Sequence, residues 1–244
     1  MKKKLFILSI VVTMILSLSL ATFANDSDVD LSIRFGKAEY LDSDENSFKT
    51  PITGYLLEGS HQIKDNIFLR GSYFFASKAN ALPLAGIGQG ELNNSNFKLA
   101  TTYRLNPGIQ LGAGWLEYDF LVKGEGYSEK RVYSGYNLVG IYEQDLTSRL
   151  KANITMNYAP NLLVDDKVIG DAGLPNRTAT SNYRGTFWDL DLGLTLSVTE
   201  YINANLGYFQ TKLTGKGQPD HPDYRFLSHE YKNKGFYLGG EWDF

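Results

Sequence analysis

Apolar and polar residues alternate along much of this chain, which predicts β-strands with one apolar and one polar face. The clearest run is 187–199. One face of it carries Trp188, Leu190, Leu192, Leu194, Leu196 and Val198, and the other carries Asp189, Asp191, Gly193, Thr195 and Ser197. Segments 150–158 and 202–208 repeat the pattern, and no helical period competes with it. These runs reach the ~9–11 residues that a membrane-spanning strand needs.

Ten such segments are predicted, at 28–38, 52–63, 67–76, 96–105, 109–121, 131–143, 149–159, 186–199, 201–213 and 232–244. Their connections alternate between short turns and long stretches. Asn106-Pro107-Gly108 is the clearest short turn, because proline presets φ and glycine accepts a positive φ. The long connections are 39–51, 77–95, 122–130, 160–185 and 214–231. This layout predicts an all-β, transmembrane, antiparallel up-and-down barrel with short periplasmic turns and five long extracellular loops. Eight strands is the alternative count.

The final segment, Tyr237 to Phe244, carries a more specific pattern. Leu238, Trp242 and Phe244 share one face of a strand that ends on an aromatic residue. An apolar strand of this kind would be a sticky edge in water, but it suits a barrel in which the last strand pairs with the first. The segment resembles the C-terminal signal of bacterial outer-membrane β-barrels, with Gly239, Trp242 and Phe244 at the matching positions. Tyr237 departs from that family, which usually has a more polar residue there. The resemblance implies recognition by the barrel-assembly machinery through this strand.

The first residues predict export. Lys2, Lys3 and Lys4 precede an apolar run that ends in Ala21-Thr22-Phe23-Ala24, the arrangement of a cleavable signal peptide over residues 1–24. The barrel would then occupy residues 25–244. Removing the three lysines takes the formal net charge from −3 to −6, which argues against a nucleic-acid partner. The chain has no cysteine, so a disulfide framework and thiolate metal sites are excluded.

Alternation alone does not say which face meets lipid, because a soluble barrel buries its apolar face inside. The polar faces of the late strands hold mostly Asn, Thr, Ser, Gly and Asp, which suit a crowded interior. Aromatic residues near strand ends fit the girdles of a membrane barrel. We therefore expect apolar side chains to face outer-membrane lipid. A secreted soluble barrel that binds an apolar ligand is an alternative, and it would place Trp188, Leu192 and Leu196 at the centre.

Following the alternation inward gives a set of charged residues that would line the lumen: Arg34, Glu58, Arg70, Lys98, Arg104, Glu143, Lys151, Asp189, Asp191 and Glu241. Ten strands enclose a modest interior, since eight are just filled by side chains and open channels appear near sixteen. The charges therefore indicate either an internal ion-pair network in a mostly closed lumen or a narrow path for small solutes.

An enzyme is the other alternative. Omptin proteases are ten-stranded barrels with acidic residues and an Asp–His pair at the extracellular mouth. Asp189 and Asp191 share an inward face, and Asp220-His221 and Ser228-His229 lie in the last long connection. Two carboxylates and a histidine can activate water, but no omptin motif surrounds these residues, and no Ser–His arrangement indicates a lipid hydrolase.

The sequence therefore predicts a non-enzymatic outer-membrane barrel with a structural or surface role, or with limited passage of small solutes. No catalytic residue, metal site or cofactor is predicted.

Overall fold

The structure is a computed structural model that describes residues 27–41, 47–76, 79–84, 88–124, 127–170, 179–216 and 229–244. The predicted signal peptide, residues 1–24, lies outside these ranges. The strands are β1 (Ser27–Leu41), β2 (Ser47–Lys64), β3 (Ile67–Ala76), β4 (Ala79–Leu84), β5 (Gly88–Asn106), β6 (Ile109–Gly124), β7 (Tyr127–Asp145), β8 (Leu150–Gly170), β9 (Ala179–Ser197), β10 (Ile202–Lys216) and β11 (His229–Asp243).

Every strand pairs antiparallel with its neighbours, and the sheet closes on itself. β1 pairs with β11 from Asp28↔Asp243 to Leu41↔Glu230, and β3 pairs with β5 from Ile67↔Tyr103 to Phe75↔Ser95. The short β4 lies beyond β3 along the same wall and pairs with the first residues of β5. In the described part of the chain, the closed ring therefore has ten strands, β1 to β3 and β5 to β11. The predicted ten-stranded antiparallel barrel is confirmed.

Both ends of the barrel can be told apart by their connections. Tight turns at 65–66, 107–108, 146–149 and 198–201 lie at one end, together with both ends of the described chain. We call this the turn end and the opposite end the loop end. The last strand closes the ring at the turn end through its backbone, since the Phe244 N–H donates to the Ser27 carbonyl at 2.9 Å.

In the half of the barrel next to the turn end, apolar side chains face outward. Leu238 and Phe244 are 61% and 70% exposed, while Asn205 and Thr195 are buried inside. Leu192 and Leu196 lie on the outer surface rather than at the centre. This arrangement is the one expected of a barrel surrounded by hydrocarbon, and it contradicts the soluble-barrel alternative.

In the half next to the loop end, the arrangement is reversed. On β10 the outward residue is Leu206 near the turn end but Lys212 near the loop end, where the adjacent Leu213 is buried inside. Along β10, the apolar residues change from the outer face to the inner face at the neighbouring residues Tyr208 and Phe209. The expectation of apolar outer and polar inner faces along whole strands was therefore wrong for this half. Strands that continue past the hydrocarbon meet water outside, so their apolar side chains pack inward.

The strands of this half are also longer than predicted. β8 continues to Gly170 and β9 begins at Ala179, although the sequence predicts one long connection over 160–185. Residues 79–84 form β4 and residues 88–95 belong to β5, although the sequence predicts one long connection over 77–95.

Candidate functional site: the lumen

The turn-end half of the barrel encloses a polar cavity. A volume of about 360 Å³ lies next to the turns, lined by Arg104, Lys151 and Asp243 among others. A volume of about 160 Å³ continues above it and reaches Arg34 and Lys98. Asp28, Arg70, Glu143 and Glu241 line both volumes. The two volumes therefore form one vestibule that is accessible from the turn end.

The structure places all the charged residues singled out by the sequence around the interior. Those lining the vestibule are Arg34, Glu58, Arg70, Lys98, Arg104, Glu143, Lys151, Asp191 and Glu241. Asp189 lies one layer further toward the loop end, beside a void of only about 10 Å³.

Ion pairs cross the inner end of the vestibule. Lys98 Nζ lies 2.5 Å from Asp189 Oδ2, and the Thr211 hydroxyl donates to Asp189 Oδ1 at 2.7 Å. Arg34 Nη2 lies 2.9 Å from Asp191 Oδ1. Asp191 Oδ1 accepts no hydrogen bond, so its contact with Arg34 is an ion pair only. Each of these four buried charges thus has an opposite charge beside it, as a low-dielectric interior requires.

The Arg34 guanidinium is also held between two aromatic rings. Its Cζ lies 4.9 Å from the centre of the Phe209 ring and 5.4 Å from that of Tyr237. Such cation–π contacts favour a charged side chain that has lost its water. Tyr237 and Phe209 thereby fix the position of Arg34 across the lumen.

A row of carboxylates lines the wall below this layer. Asp30 on β1 is directly opposite Glu58 on β2 and Glu241 on β11. The Asn205 side-chain amide donates to Asp30, and also to Glu241 at 3.3 Å. Like charges placed directly opposite repel one another. The amide therefore supplies part of the stabilisation that a cation would otherwise give.

Near the turns, arginines pack on aromatic and amide groups. Arg104 Cζ lies 4.3 Å from the centre of the Phe68 ring. Arg70 donates to Gln110 Oε1 at 3.2 Å, and the Thr102 hydroxyl donates to the same oxygen at 3.0 Å. Gln110 therefore links Arg70 and Thr102 in one hydrogen-bonded group, and the Phe68 ring supports the Arg104 charge.

Above the ion pairs the lumen is filled by an apolar core. This core is formed by Ala38, Tyr40, Ile52, Leu92, Leu116, Tyr118, Phe120, Val122, Tyr133, Ala159, Leu162, Val164, Tyr183, Phe187, Leu213 and Tyr231. Tyr118, Phe120 and Tyr231 are at most 2% exposed, and the ring centre of Tyr231 lies 6.1 Å from that of Tyr118 and 5.2 Å from that of Phe120. Among the described residues, the vestibule is therefore closed toward the loop end by packed side chains.

Several polar side chains within this core are hydrogen-bonded to one another. The Asn94 amide donates to the Tyr231 hydroxyl, and Arg131 donates to the Tyr40 hydroxyl at 2.6 Å. The His229 ring hydrogen-bonds to Tyr133 and contacts the Tyr40 ring. Burial and, secondarily, the Arg131 charge lower the pKa of His229 to about 2, so the ring is neutral.

Of the residues weighed as enzymatic, those that the structure describes do not lie together. Asp189 and Asp191 lie in mid-strand and pair with Lys98 and Arg34, rather than at the mouth. His229 is in the apolar core, and Asp220, His221 and Ser228 lie outside the described residues. Within the described ranges, no group of three or more His, Asp and Glu side chains is arranged to hold a metal ion, and no helix is long and apolar enough to cross a membrane.

The apolar core and the asparagine that bridges the carboxylates were missed from the sequence. A signal for the core was present, because Leu116, Tyr118 and Phe120 alternate with Glu117 and Asp119. Leu162 and Val164 gave no such alternation, because Leu163 lies between them in the stretch interpreted as a long connection. Asn205 carried no distinguishing signal, since its role depends on the register of β10 against β11.

Comparison with known proteins supports the fold. No protein-family model and no curated sequence matches the chain. The crystal structure of the outer-membrane protease OmpT from Escherichia coli is similar at a TM-score of 0.57 and 13% identity, over 92% of this chain and 99% of that one. The translocator domain of autotransporter NalP from Neisseria meningitidis has a TM-score of 0.46 at 7% identity, covering 100% and 98% of the two chains. Neisserial surface protein A has a TM-score of 0.39 at 11% identity, covering 89% and 97%. The chain has the fold of a bacterial outer-membrane β-barrel, as the sequence predicts.

Proposed function

We propose that this chain is an outer-membrane barrel with a closed lumen, which serves a structural or surface role rather than transport. The turn end would face the periplasm, and the loop end would stand outside the cell. The belt of outward apolar residues would contact lipid, and Gly239, Trp242 and Phe244 would direct assembly. One observation carries the proposal: the core around Tyr118, Phe120 and Tyr231 fills the barrel where a solute would have to leave it.

The thickness of that core supports closure over gating. Its members extend along β6 from Leu116 to Val122, and consecutive residues of a strand advance by about 3.3 Å. Fully burying a large apolar side chain is worth about 1.5–3 kcal/mol. Opening a path would expose many of them at once, which costs far more than the thermal energy available to a gate.

The test is conductance in planar lipid bilayers. Purified protein that shows the heat-modifiable gel mobility of a folded barrel is expected to give no unit conductance steps. Insertion is checked in parallel by protease protection of the same preparation, and a known porin supplies the conducting control. Reproducible steps from the folded protein would overturn the proposal.

Limited passage of small solutes is the second candidate, favoured by the polar vestibule. The described residues that line it include more acids than bases: Asp28, Asp30, Glu58, Glu143, Asp145, Asp191, Glu200, Glu241 and Asp243 against Arg34, Arg70, Lys98, Arg104, Arg149 and Lys151. Any current would therefore be cation-selective. Steps that change their selectivity in Glu58→Gln would favour this candidate.

The enzyme alternative has its own test. The ion-paired positions of Asp189 and Asp191 favour a structural role for both carboxylates. Peptide cleavage by the folded barrel that disappears in Asp189→Ala or His221→Ala would favour an omptin-like activity instead.

A further inference from the structure

A pair of lysines lies on the outer wall where the apolar belt ends. Lys37 on β1 is directly opposite Lys234 on β11, and both side chains are exposed. The next outward pair toward the turn end is Phe35 and Phe236, which are 50% and 69% exposed. Outward residues two positions apart are separated by about 7 Å along a strand. The lysines therefore lie immediately outside the last lipid-facing aromatic row.

These two lysines differ from the others around them. Further toward the loop end, Glu230 pairs with both Lys212 and Lys232, at 2.5 Å for Lys212. Burial opposes ionisation of Glu230, but its hydrogen bonds to both lysines outweigh that effect and lower its pKa. Lys49 lies 3.4 Å from Glu39. Among the described residues, Lys37 and Lys234 have no such acidic partner.

Like charges directly opposite on adjacent strands destabilise a sheet. The Cβ atoms of opposite residues are about 4.5–5.5 Å apart, so two lysine ammonium groups can reach one anion. Gln210, opposite Lys234 on β10, adds an amide to the same row. The arrangement costs stability when it is empty and becomes favourable when a phosphate lies between the two ammonium groups.

The positive charge is local to this wall. On the wall formed by β10, β11, β1 and β2, the described charged side chains that point outward beyond the belt are Lys37, Lys49, Lys212, Lys232, Lys234, Glu39 and Glu230. The opposite wall, β5 to β9, has Glu91, Glu117, Asp119, Asp165, Lys123, Lys130 and Arg184. The first wall has three more bases than acids and the second has one more acid than bases. An anionic ligand would therefore bind preferentially to the first wall.

We propose that Lys37 and Lys234 bind the phosphorylated headgroup of a membrane lipid whose acyl chains pack on Phe35, Phe236 and Tyr208. Tyr208 belongs to the same aromatic surface, with its ring centre 5.7 Å from that of Phe236. The ligand is a lipid rather than free phosphate, because the cationic row and the apolar row adjoin in the order of a headgroup and its chains. This inference rests on the proposed membrane location.

The experiment uses the full folded barrel in neutral maltoside micelles and phosphatidic acid as the probe. The melting midpoint, followed by tryptophan fluorescence, is measured against the mole fraction of phosphatidic acid. The midpoint is expected to rise with phosphatidic acid, and not with diacylglycerol of the same chains or with inorganic phosphate. Each lysine near an anionic surface contributes a factor of about five in affinity. Lys37→Gln with Lys234→Gln should therefore weaken the response roughly thirtyfold.

The matched control is Lys123→Gln with Arg184→Gln, which removes the same charge from the opposite wall and should respond as the wild type does. Lys37→Arg with Lys234→Arg should also keep the response. An unchanged response in the Lys37/Lys234 glutamine variant would overturn the site, as would equal losses in the control or an equal shift with inorganic phosphate. Heat-modifiable folding in micelles before lipid is added tests the barrel separately, so failure of the lipid site can be distinguished from failure of the proposed function.

Discussion

Arg34 and Asp191 form an ion pair across the lumen, with Arg34 Nη2 2.9 Å from Asp191 Oδ1. The two residues belong to β1 and β9, which are separated around the wall by β11 and β10. The contact therefore braces parts of the barrel that are not neighbours in the sheet. Both side chains are largely buried, at 7% and 14% exposure.

We expect Arg34→Met to destabilise the barrel strongly, because it leaves the Asp191 carboxylate without its compensating charge. Breaking a buried ion pair from one side typically costs about 3–5 kcal/mol. The double variant Arg34→Met with Asp191→Leu should lose much less than the sum of the single losses, since neither charge is left alone. Equilibrium urea unfolding of the folded protein measures all three free energies.

Arg149→Met is the control for that series, because Arg149 is an exposed residue of a turn. The free energy of unfolding of this variant should be within about 0.5 kcal/mol of the wild-type value. Additive losses in the double variant would show that Arg34 and Asp191 do not depend on one another.

Tyr237 lies directly over Gly207 of the neighbouring strand. A Cβ added at Gly207 would lie 2.6 Å from Tyr237 Cζ and 2.3 Å from the Leu192 carbonyl oxygen. The tyrosine that departs from the outer-membrane signal is thus a packed inward residue. Gly207→Ala should destabilise the barrel by about 1–3 kcal/mol through overpacking, as a lower melting temperature in micelles. The matched control is Gly140→Ala, where the nearest atom is 3.7 Å away, and an equal loss there would contradict this explanation.

The sequence predicted the membrane half of the fold well, for an identifiable reason. Within that half one rule holds along each strand, with residues such as Leu206 outside and Asn205 inside, so alternation alone locates β3 and most of β10. The rule changes where the strands leave hydrocarbon. On β10 the change occurs at the adjacent residues Tyr208 and Phe209. Because the apolar positions move there to the other face, the sequence pattern resembles the end of a strand.

The predicted strand 149–159 also stops short of the observed end of β8, just before Pro160. Proline cannot donate to a sheet ladder and usually ends a strand or lies at a bulge. Here it lies at a register shift between Ala159 and Leu162, beyond which β8 resumes pairing with β9. For the lumen, the inward charges follow from alternation, but their partners do not. The pairing of Lys98 with Asp189 depends on the curvature of the closed wall, which no local pattern encodes.

Stability should fall with acid through His229. Tyr133, Tyr40, Tyr183 and Arg131 surround the ring, and its pKa is lowered from 6.5 to about 2, mainly by burial. The unfolded chain takes up a proton as the pH falls below 6.5, whereas the folded barrel does not. The contribution to stability is therefore present above pH 6.5 and is lost as the pH falls toward 2, by about 2 kcal/mol at pH 5.

The measurement is the difference in unfolding free energy between wild type and His229→Gln across pH 7.5 to 5. The wild type should lose stability more steeply, because the variant lacks the titrating ring. All other ionisable groups are common to both proteins, so their contributions cancel in the difference. Parallel curves for wild type and His229→Gln would mean that the ring is not held neutral in the folded barrel.

The side chain of Phe244 should matter for assembly more than for stability. The ring is 70% exposed, and the bond from the Phe244 N–H to the Ser27 carbonyl does not involve the side chain. We expect Phe244→Ser to refold in detergent with a melting temperature close to wild type. In cells the same variant should leave much less heat-modifiable protein in the outer-membrane fraction, because the assembly machinery would no longer recognise the terminal aromatic. Leu105→Ser removes an apolar side chain with 57% exposure near the same end of the barrel, and it should assemble normally. Equal losses for both variants in cells would show that apolar surface, and not a C-terminal signal, governs assembly of this barrel.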